Sequence, residues 1–439
     1  MSVNRASGRF VSHGSLAIAA FSTIVEWYDF TLYLYLTTVL SRVFFGGGTA
    51  SLAVTLGGFA VAYLMRPVGA LFFGHLGDRH GRRRMMLGSV ALMTATMLAM
   101  ALLPTRAQVG PAAGWLLIAL RCVMGFAVGG EYTGVVAYLL EGARPARRGL
   151  VTSLAAAASE LGALLAVGVS ALTVSRLDPV ALDAWGWRIP FFVGAALAST
   201  VWIARSNMHE SPDFERQRSA GTIPAHPLRH ALRSHRRGIA RGFAISALGS
   251  ITYYVGITYV PTFLTSVGSL GEADALVLST WAAIAVILVT PLTGALSDRV
   301  GRRPVLVFLA LCSAALPIAL FSMMAHGTTF AALSGALALA CVAGGVSAVG
   351  AVATAEQFPG EGRLTGLALG VTVATAVFGG LTPFLAQVLI DATGWPMAPG
   401  ALIAVVALGV LPVLVRLPET APRKTGHPQS RLAKHLLGP

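Results

Sequence analysis

The sequence predicts an all-α membrane protein of twelve transmembrane helices, arranged as two six-helix bundles. Three observations lead to this prediction. Only 11% of the 439 residues are charged and 55% are hydrophobic, whereas soluble domains carry about 25% charged residues. The chain contains twelve long apolar runs, and a membrane helix needs about 20 such residues. A charged motif between two of these runs recurs 220 residues later, between the equivalent two runs of the second half.

The twelve runs are too long, and too continuously apolar, to be the alternating strands of a membrane barrel. The first run is not expected to be a cleaved signal peptide, because it is long, acidic at its centre and without a small-residue cleavage site. The runs cover residues 15–40, 50–73, 85–103, 112–140, 149–174, 185–204, 242–267, 274–296, 305–324, 330–355, 363–390 and 396–416.

A polar segment with three prolines, at positions 212, 224 and 227, separates the first six runs from the last six. A duplicated six-plus-six arrangement is common in transporters, whose substrate site lies between the halves near the membrane midplane. The predicted domains are an N-terminal bundle (1–204), a cytoplasmic linker (205–241), a C-terminal bundle (242–416) and a short cytoplasmic tail (417–439).

The net charge of +14 could suggest a nucleic-acid partner, but the positions of the basic residues indicate a topology instead. If the N-terminus is cytoplasmic, 26 of the 32 Lys and Arg lie in cytoplasmic segments and three lie outside; Arg66, Arg121 and Arg188 lie within runs or at their edges. This bias follows the positive-inside rule. Both termini are therefore expected in the cytoplasm, and no nucleic-acid partner is expected.

Catalytic and metal-binding patterns are missing from the sequence. Cys122, Cys312 and Cys341 all fall inside apolar runs, where they are expected to be small core residues. The sequence has no zinc-ligand spacing, no phosphate-binding glycine loop and no nucleophile–base constellation. We therefore expect no enzyme activity, no metal and no cofactor.

The recurring motif reads GHLGDRHGRR at 74–83 and GALSDRVGRR at 294–303. Glycines permit a tight turn and a close approach of helices, while each aspartate can cap the next helix or bind an arginine across a gate. The motif predicts a cytoplasmic gate whose opening lets the halves rock; the alternative is a rigid loop that only sets topology. The predicted gate residues are Gly74, Asp78, Arg79, Gly81, Arg82, Asp298, Arg299, Gly301 and Arg302.

Two carboxylates interrupt the first run in the stretch EWYDF. Glu26 and Asp29 are three residues apart and share a helical face, and a carboxylate inside a membrane needs a partner, water or a proton. Such a group can take up and release protons, so both are predicted to couple transport to protons. The alternative is a packing pair satisfied by neighbouring donors.

Arg121, in the fourth run, lies at about the depth of Asp29, counting roughly 1.5 Å per residue. An arginine is permanently charged and grips carboxylates with two parallel hydrogen bonds. It is predicted either to bind a substrate carboxylate or to hold Asp29 ionised until protonation, and this makes Asp29 the preferred coupling residue. The alternative is a fixed brace between two helices. Glu131, nearer the cytoplasm, is expected to pair with a loop arginine.

The motif at 74–84 resembles the loop signature of the major facilitator superfamily, and RCVMGFAVG at 121–129 resembles its fourth-helix signature. Further blocks resemble the metabolite:proton symporter family within it, and the resemblance covers nearly the whole chain. GGEYTG and TYYVGITYVPTFL are most similar to the proline/glycine-betaine branch; the family also carries 2-oxoglutarate, citrate and shikimate. The blocks are EWYDF (26–30), MRPVGALFFGHLGDRHGRR (65–83), GGEYTG (129–134), WGWRIPFF (185–192), TYYVGITYVPTFL (252–264) and GGLTPFLA (379–386).

The resemblance implies the major facilitator fold and a substrate cavity lined by the seventh helix. Tyrosines there offer an aromatic face for a quaternary ammonium, although ordinary packing would explain them equally. The expected cavity residues are Trp27, Tyr132, Tyr253 and Tyr254. Glu160 departs from the family pattern, which leads us to expect an apolar residue; it is an extra proton site or an interhelical hydrogen-bonding group. About 20 residues without heptads follow the last run, so coiled-coil osmosensing is not expected.

Together these features predict proton-coupled uptake of a small carboxylate-bearing metabolite through a bacterial-type inner membrane. Proline or glycine betaine is the first choice, with di- or tricarboxylates next. The expected partners are the solute, protons and the bilayer, with no obligate protein partner. Three alternatives are a proton-antiport exporter, a membrane sensor and an intramembrane enzyme.

Overall fold

A computed structural model describes residues 13–47, 49–268, 270, 272–358 and 361–421, and every regular element within them is helical. Eight of the described helices are long and apolar enough to cross a membrane, or ten when each of two bent pairs counts as one span. Two more long helices, of 23 and 32 residues, stand at the first two predicted runs. The all-α class is confirmed, and a long helix stands at each of the twelve predicted runs.

The long helices are numbered α1 to α12 in chain order, and α7 and α9 are the bent pairs. Their bounds are α1 His13–Tyr35, α2 Thr49–His80, α3 Arg82–Ala101, α4 Ala112–Gly142, α5 Arg148–Arg176, α6 Arg188–Ser206, α7 Arg236–Thr258 with Val260–Ser266, α8 Glu272–Val300, α9 Arg302–Ala315 with Pro317–His326, α10 Thr329–Ala355, α11 Arg363–Thr393 and α12 Ala398–Val415. Shorter helical turns cover Thr37–Leu40, Ser41–Phe45, Arg106–Val109, Pro145–Arg147, Pro179–Ala181 and Leu182–Gly186.

Helices α7 and α11 are interrupted by π-helical turns. A π-helical turn, Tyr254–Thr258, interrupts α7 before its 41° bend. Two more, Ala368–Thr372 and Ala376–Gly380, interrupt α11. Such turns rotate the side chains that follow them and are frequent at functional sites.

The predicted linker contains more helix than its polar composition suggests. Helix α6 continues to Ser206 and α7 begins at Arg236, with two linker helices, Pro212–Ala220 and Pro227–Ser234, between them. Both start with a proline, which suits the first position of a helix because its missing N–H would be unpaired there. The Ser211 hydroxyl caps the first linker helix by accepting a hydrogen bond of 3.2 Å from the Phe214 N–H. Two of the three linker prolines therefore begin helices.

The two halves repeat one packing pattern. In the first half α1 packs on α5, α2 on α4 and α3 on α6; in the second half α7 packs on α11, α8 on α10 and α9 on α12. The halves meet along two related contacts, α5 against α8 and α2 against α11. Residues of each of these four helices line a cavity between the halves.

Large apolar side chains cover much of the molecule's outer surface. Trp115, Phe330 and Phe384 are each more than 70% exposed, which would be costly in water but matches a hydrocarbon environment. Each half has a buried core, with Trp187 and Phe191 in the first and Phe263 and Phe321 in the second. A further buried cluster joins the halves, with Phe73 on one side and Phe358 on the other. The protein is a multi-pass membrane protein.

Candidate functional site

A cavity of about 160 Å³ lies between the halves and is lined by residues of both. Most of its described wall is apolar or weakly polar. Three charged side chains line it, namely Glu26 from α1, Arg66 from α2 and Glu160 from α5. All three belong to the first half, so the charge in the wall is asymmetric.

Glu26 and Arg66 face each other across a loose contact. The nearest approach is 3.8 Å, between Arg66 Nη1 and Glu26 Oε1. The Glu26 side chain is 2% exposed, and its second oxygen, Oε2, has no hydrogen-bond partner among the described residues. Arg66 also lies 4.8 Å from the ring centroid of Tyr63 and 4.9 Å from that of Phe30. A cation and a poorly satisfied carboxylate therefore share one part of the wall.

An arc of aromatic rings continues from Arg66 into the second half. The hydroxyl oxygens of Tyr63 and Tyr254 are 2.7 Å apart, which joins α2 to α7. Tyr253 follows, with its ring centroid 5.5 Å from that of Tyr254 and 5.3 Å from that of Trp27. All four predicted cavity residues line the cavity, namely Trp27, Tyr132, Tyr253 and Tyr254.

Glu160 is the third charged group in the wall and is 3% exposed. Its Oε1 accepts a hydrogen bond from the Tyr253 hydroxyl, so this contact also joins the two halves. Among the described residues no ion pair links Glu160 to an arginine or lysine. A carboxylate thus borders the cavity beside Tyr253, whose ring in turn contacts Trp27.

Asp29 and Arg121 form a direct ion pair, as the sequence suggested from their depth. The distance from Arg121 Nη1 to Asp29 Oδ2 is 2.8 Å, and both side chains are buried. The Arg121 guanidinium also stacks 4.6 Å from the Tyr33 ring centroid. In the described part of the chain neither member of the pair is in the cavity wall. The guanidinium that lines the cavity is that of Arg66.

Glu131 pairs with Arg205, at the end of α6, inside the first bundle. Arg205 Nη1 donates to Glu131 Oε2 at 3.1 Å, and the Ser89 hydroxyl donates to the same oxygen at 2.6 Å. Because Glu131 is fully buried and saturated with donors, it is placed as a brace within the bundle.

The two motif aspartates join opposite halves at one end of the molecule, which we term the arginine-rich end. Asp78 accepts hydrogen bonds from the backbone N–H groups of Leu364 (3.3 Å) and Thr365 (2.9 Å), at the start of α11. Asp298 accepts from Gly149 (2.9 Å) and Leu150 (3.0 Å), at the start of α5. Each aspartate therefore caps a helix of the other half and not the next helix of its own half.

The aspartates were also predicted to bind arginines across the gate, but the arginine that each one contacts belongs to its own half. Arg82 lies 3.2 Å from Asp78 and Arg302 lies 2.8 Å from Asp298, both within their own half. Across the halves, Arg363 Nη1 lies 2.7 Å from Glu141 Oε1, which Arg82 also contacts at 3.1 Å. The predicted gate residues Arg79 and Arg299 are exposed.

The motif glycines permit these contacts in two ways. Gly81 and Gly301 have φ of 107° and 118°, a conformation that favours glycine. Gly74 and its counterpart Gly294 lie where backbone of the other half comes very close. A Cβ at Gly74 would be 3.2 Å from the Leu364 carbonyl oxygen, and a Cβ at Gly294 would be 2.5 Å from the Gly149 carbonyl oxygen.

Two glutamates that the sequence reasoning missed complete this end. Glu210 Oε1 accepts from the backbone N–H groups of Arg82 (2.9 Å) and Arg83 (3.2 Å), and so caps α3. Glu419 Oε1 accepts from Arg302 (2.9 Å) and its Oε2 from Arg303 (3.1 Å), and so caps α9. Burial raises the pKa of the Glu210 carboxyl, while the backbone donors oppose that rise.

Comparison with known proteins now identifies the family. Residues 16–221 match a family described as "Sugar (and other) transporter", and residues 264–439 match the "Major Facilitator Superfamily". A citrate-proton symporter of Klebsiella pneumoniae is 31% identical over 390 residues, covering 88% of this chain and 87% of that protein. The chain belongs to the major facilitator superfamily.

Other relatives of this major facilitator protein are similarly distant. The ectoine/proline transporter ProP of Corynebacterium glutamicum is 32% identical over 391 residues, covering 85% of this chain and 78% of its own. The alpha-ketoglutarate permease of Escherichia coli is 32% identical over 373 residues, covering 84% and 85%. The resemblance to the metabolite:proton symporters found in the sequence is confirmed.

A solved structure shares the fold of this major facilitator protein. The proton:xylose symporter XylE, bound to 6-bromo-6-deoxy-D-glucose, superimposes with a TM-score of 0.76 at 19% identity, covering 93% of this chain and 96% of XylE. At that identity the likeness establishes the arrangement of helices in two six-helix halves.

Proposed function

We propose that this protein is a proton-coupled symporter that imports a small carboxylate-bearing metabolite, with proline or glycine betaine as the preferred solute. The observation that carries the proposal is the loose contact between Glu26 and Arg66 in the cavity wall. If the Arg66 guanidinium were held in a close ion pair, it would bind a substrate carboxylate less readily. A carboxylate with one unpartnered oxygen is poised to accept a proton.

The same contact supplies a coupling mechanism. A substrate carboxylate that binds Arg66 with two parallel hydrogen bonds competes with Glu26 for the guanidinium. Glu26 then loses its counter-ion, and a buried carboxylate without a partner is favoured in its neutral form. Substrate and proton would therefore enter together, and the filled site would carry less uncompensated charge.

The arginine-rich end supplies the gate. In the described conformation Asp78 and Asp298 each bind the other half, and Arg363 bridges to Glu141. Release of the solute at that end requires these contacts to break together. Because the motif is duplicated, both sides of the gate can open by the same movement. We place this end in the cytoplasm, on the arginine distribution.

The choice of solute draws on the cavity and on the relatives. The volume of about 160 Å³ is small beside the roughly 300–1,000 Å³ of sites for drug-sized ligands, which favours a small metabolite. Relatives named as proline/betaine transporters include one from Salmonella typhimurium, 29% identical over 440 residues. The citrate-proton symporter and the alpha-ketoglutarate permease among the relatives favour di- or tricarboxylates as the second candidate.

Uptake by the purified protein in proteoliposomes tests the proposal. Labelled proline, glycine betaine, citrate and 2-oxoglutarate would each be offered with and without an imposed proton gradient, acidic outside. We expect accumulation of one zwitterion above its external concentration, abolished by a protonophore. Accumulation driven equally well without a proton gradient, or gradient-driven efflux as the only activity, would contradict symport.

A further inference from the structure

Glu160 lies in the cavity wall as its third charged group in the described part, besides Glu26 and Arg66. It brings a second carboxylate into a wall whose described part has a single guanidinium, that of Arg66. Glu26 and Arg66 are set against each other at 3.8 Å. The formal charge of Glu160 therefore has no arginine or lysine left to balance it in the described part of the wall. A membrane-embedded carboxylate needs some compensation, and a bound cation can provide it.

We propose that Glu160, Trp27 and Tyr253 form a subsite for the ammonium group of a zwitterionic solute, whose carboxylate binds Arg66. This inference rests on the proposed function, because it concerns the same cavity and the same anion site. It goes further by assigning the opposite charge of the solute to a place. It also decides between the two candidate solute classes in favour of the zwitterions.

The surroundings of Glu160 suit a cation. The Tyr253 hydroxyl donates to Oε1 and so orients the carboxylate. The Tyr253 and Trp27 rings meet edge to face with centroids 5.3 Å apart, and both line the cavity. Trp and Tyr faces attract ammonium groups, and the attraction grows when water is excluded. A quaternary ammonium has no N–H to donate, so rings and a nearby carboxylate are the contacts open to it.

The two subsites are separate parts of one wall. Arg66 contacts Tyr63, and the arc Tyr63–Tyr254–Tyr253 leads from there to Glu160 through the hydroxyl pair at 2.7 Å and the ring pair at 5.5 Å. A shorter route runs through Phe30, whose ring centroid lies 4.9 Å from the Arg66 guanidinium and 5.4 Å from the Trp27 ring. A small zwitterion whose carboxylate binds Arg66 can therefore bring its ammonium group to the Trp27 side of the wall. A di- or tricarboxylate would instead bring its additional negative charge toward Glu160, and like charges repel strongly at low dielectric.

A pair of ligands that differ only in charge tests this inference. Glycine betaine and 3,3-dimethylbutanoate have the same shape, but the second has carbon in place of the quaternary nitrogen. Binding to the purified protein in nanodiscs would be followed by tryptophan fluorescence and by calorimetry at constant pH. The parent protein should bind glycine betaine at least tenfold more tightly than its isostere. It should bind citrate and 2-oxoglutarate more weakly than it binds glycine betaine or proline.

The variant Glu160→Gln should lose most of that discrimination, with a ratio near one. Glu160→Asp keeps the charge and should retain it in part. Ser170→Ala, on the same helix but outside the described cavity wall, should leave it unchanged. An unchanged ratio in Glu160→Gln would overturn the inference. If that variant does not fold, the parent still decides, because tighter binding of citrate or 2-oxoglutarate, or no binding of glycine betaine and proline, overturns it.

Failure of the inference is distinguishable from failure of the proposed function. Binding at constant pH requires no gradient and no movement of the halves. Discrimination that depends on Glu160 without proton-driven uptake would retain the subsite and refute symport. Proton-driven uptake without that discrimination would support symport and refute the subsite.

Discussion

The Asp78 carboxylate accepts a hydrogen bond of 2.9 Å from the backbone N–H of Thr365, 287 positions further along the chain. Asp298 makes the same kind of contact with Gly149 in the opposite direction. Each carboxylate thus meets the N-terminus of a helix of the other half, where the helix dipole and free N–H groups favour a negative charge. Two equivalent contacts therefore join the halves at the arginine-rich end.

Replacing either aspartate by asparagine should shift the protein toward the conformation open at this end. A hydrogen bond to a charged group contributes about 1.5–3 kcal/mol, so each variant should change the equilibrium roughly ten- to hundredfold, and the double variant more. The measurement is the labelling rate of a cysteine at Ser153, which is buried close to Gly294, with the native cysteines replaced. Arg79→Ala and Arg299→Ala are the controls, because both side chains are exposed. Equal labelling in all variants would show that these carboxylates do not hold the gate closed.

The fold could be predicted from hydropathy because lipid imposes long apolar helices, and from the 220-residue repeat. The two motif aspartates could be singled out from that repeat, because both copies keep Asp and Arg at matching positions. Their partners could not, because a repeat shows equivalence between halves and not contact between them. Glu210 and Glu419 were missed because their separation along the chain differs from that of the motif.

Arg66 was missed for another reason. It lies seven residues from the end of the run 50–73, and it was counted only with the arginines within runs or at their edges. One sequence feature could have drawn attention to Arg66. It belongs to the block MRPVG, in the apolar run that leads into the duplicated motif. Depth matching correctly paired Asp29 with Arg121, but depth along a helix carries no information on whether a pair faces a cavity or a neighbouring helix. That distinction depends on helix rotation, which only the packing sets.

The orientation in the membrane remains a prediction from the arginine distribution. A cysteine at Ser219, exposed on the first linker helix, should react with an impermeant thiol reagent in inside-out vesicles and not in intact cells. A cysteine at Ala107, in the exposed turn between α3 and α4, should show the opposite pattern. Labelling of position 219 from outside the cell would reverse the topology and the direction of the proposed gate.

Arg66→Lys should lower substrate affinity about tenfold, because an ammonium keeps the charge but lacks the planar fork and its stacking on Tyr63 and Phe30. Arg121→Lys should impair transport by another route, since it weakens a buried ion pair and reduces the amount of folded protein. The two variants are separated by measuring KM per folded molecule alongside the yield of folded protein. A normal KM in Arg66→Lys with a raised KM in Arg121→Lys would transfer the carboxylate site to Arg121.

The EWYDF carboxylates allow the proton coupling itself to be tested. Glu26→Gln keeps the shape and removes the titrating group beside Arg66, so gradient-driven accumulation should be lost. Exchange of labelled for unlabelled solute needs only movement of the filled carrier, and it should survive in large part. Both are measured in the same proteoliposomes, with and without a proton gradient.

Asp29→Asn is the matched comparison, three residues away on the same helix. It leaves the buried Arg121 charge without its partner at 2.8 Å, and breaking such a pair costs about 3–5 kcal/mol. Accumulation and exchange should therefore fall together, along with the yield of folded protein. If Asp29→Asn instead lost accumulation alone while Glu26→Gln concentrated solute as well as the parent, the proton would be carried by Asp29, and the loose contact of Glu26 with Arg66 would serve substrate binding only.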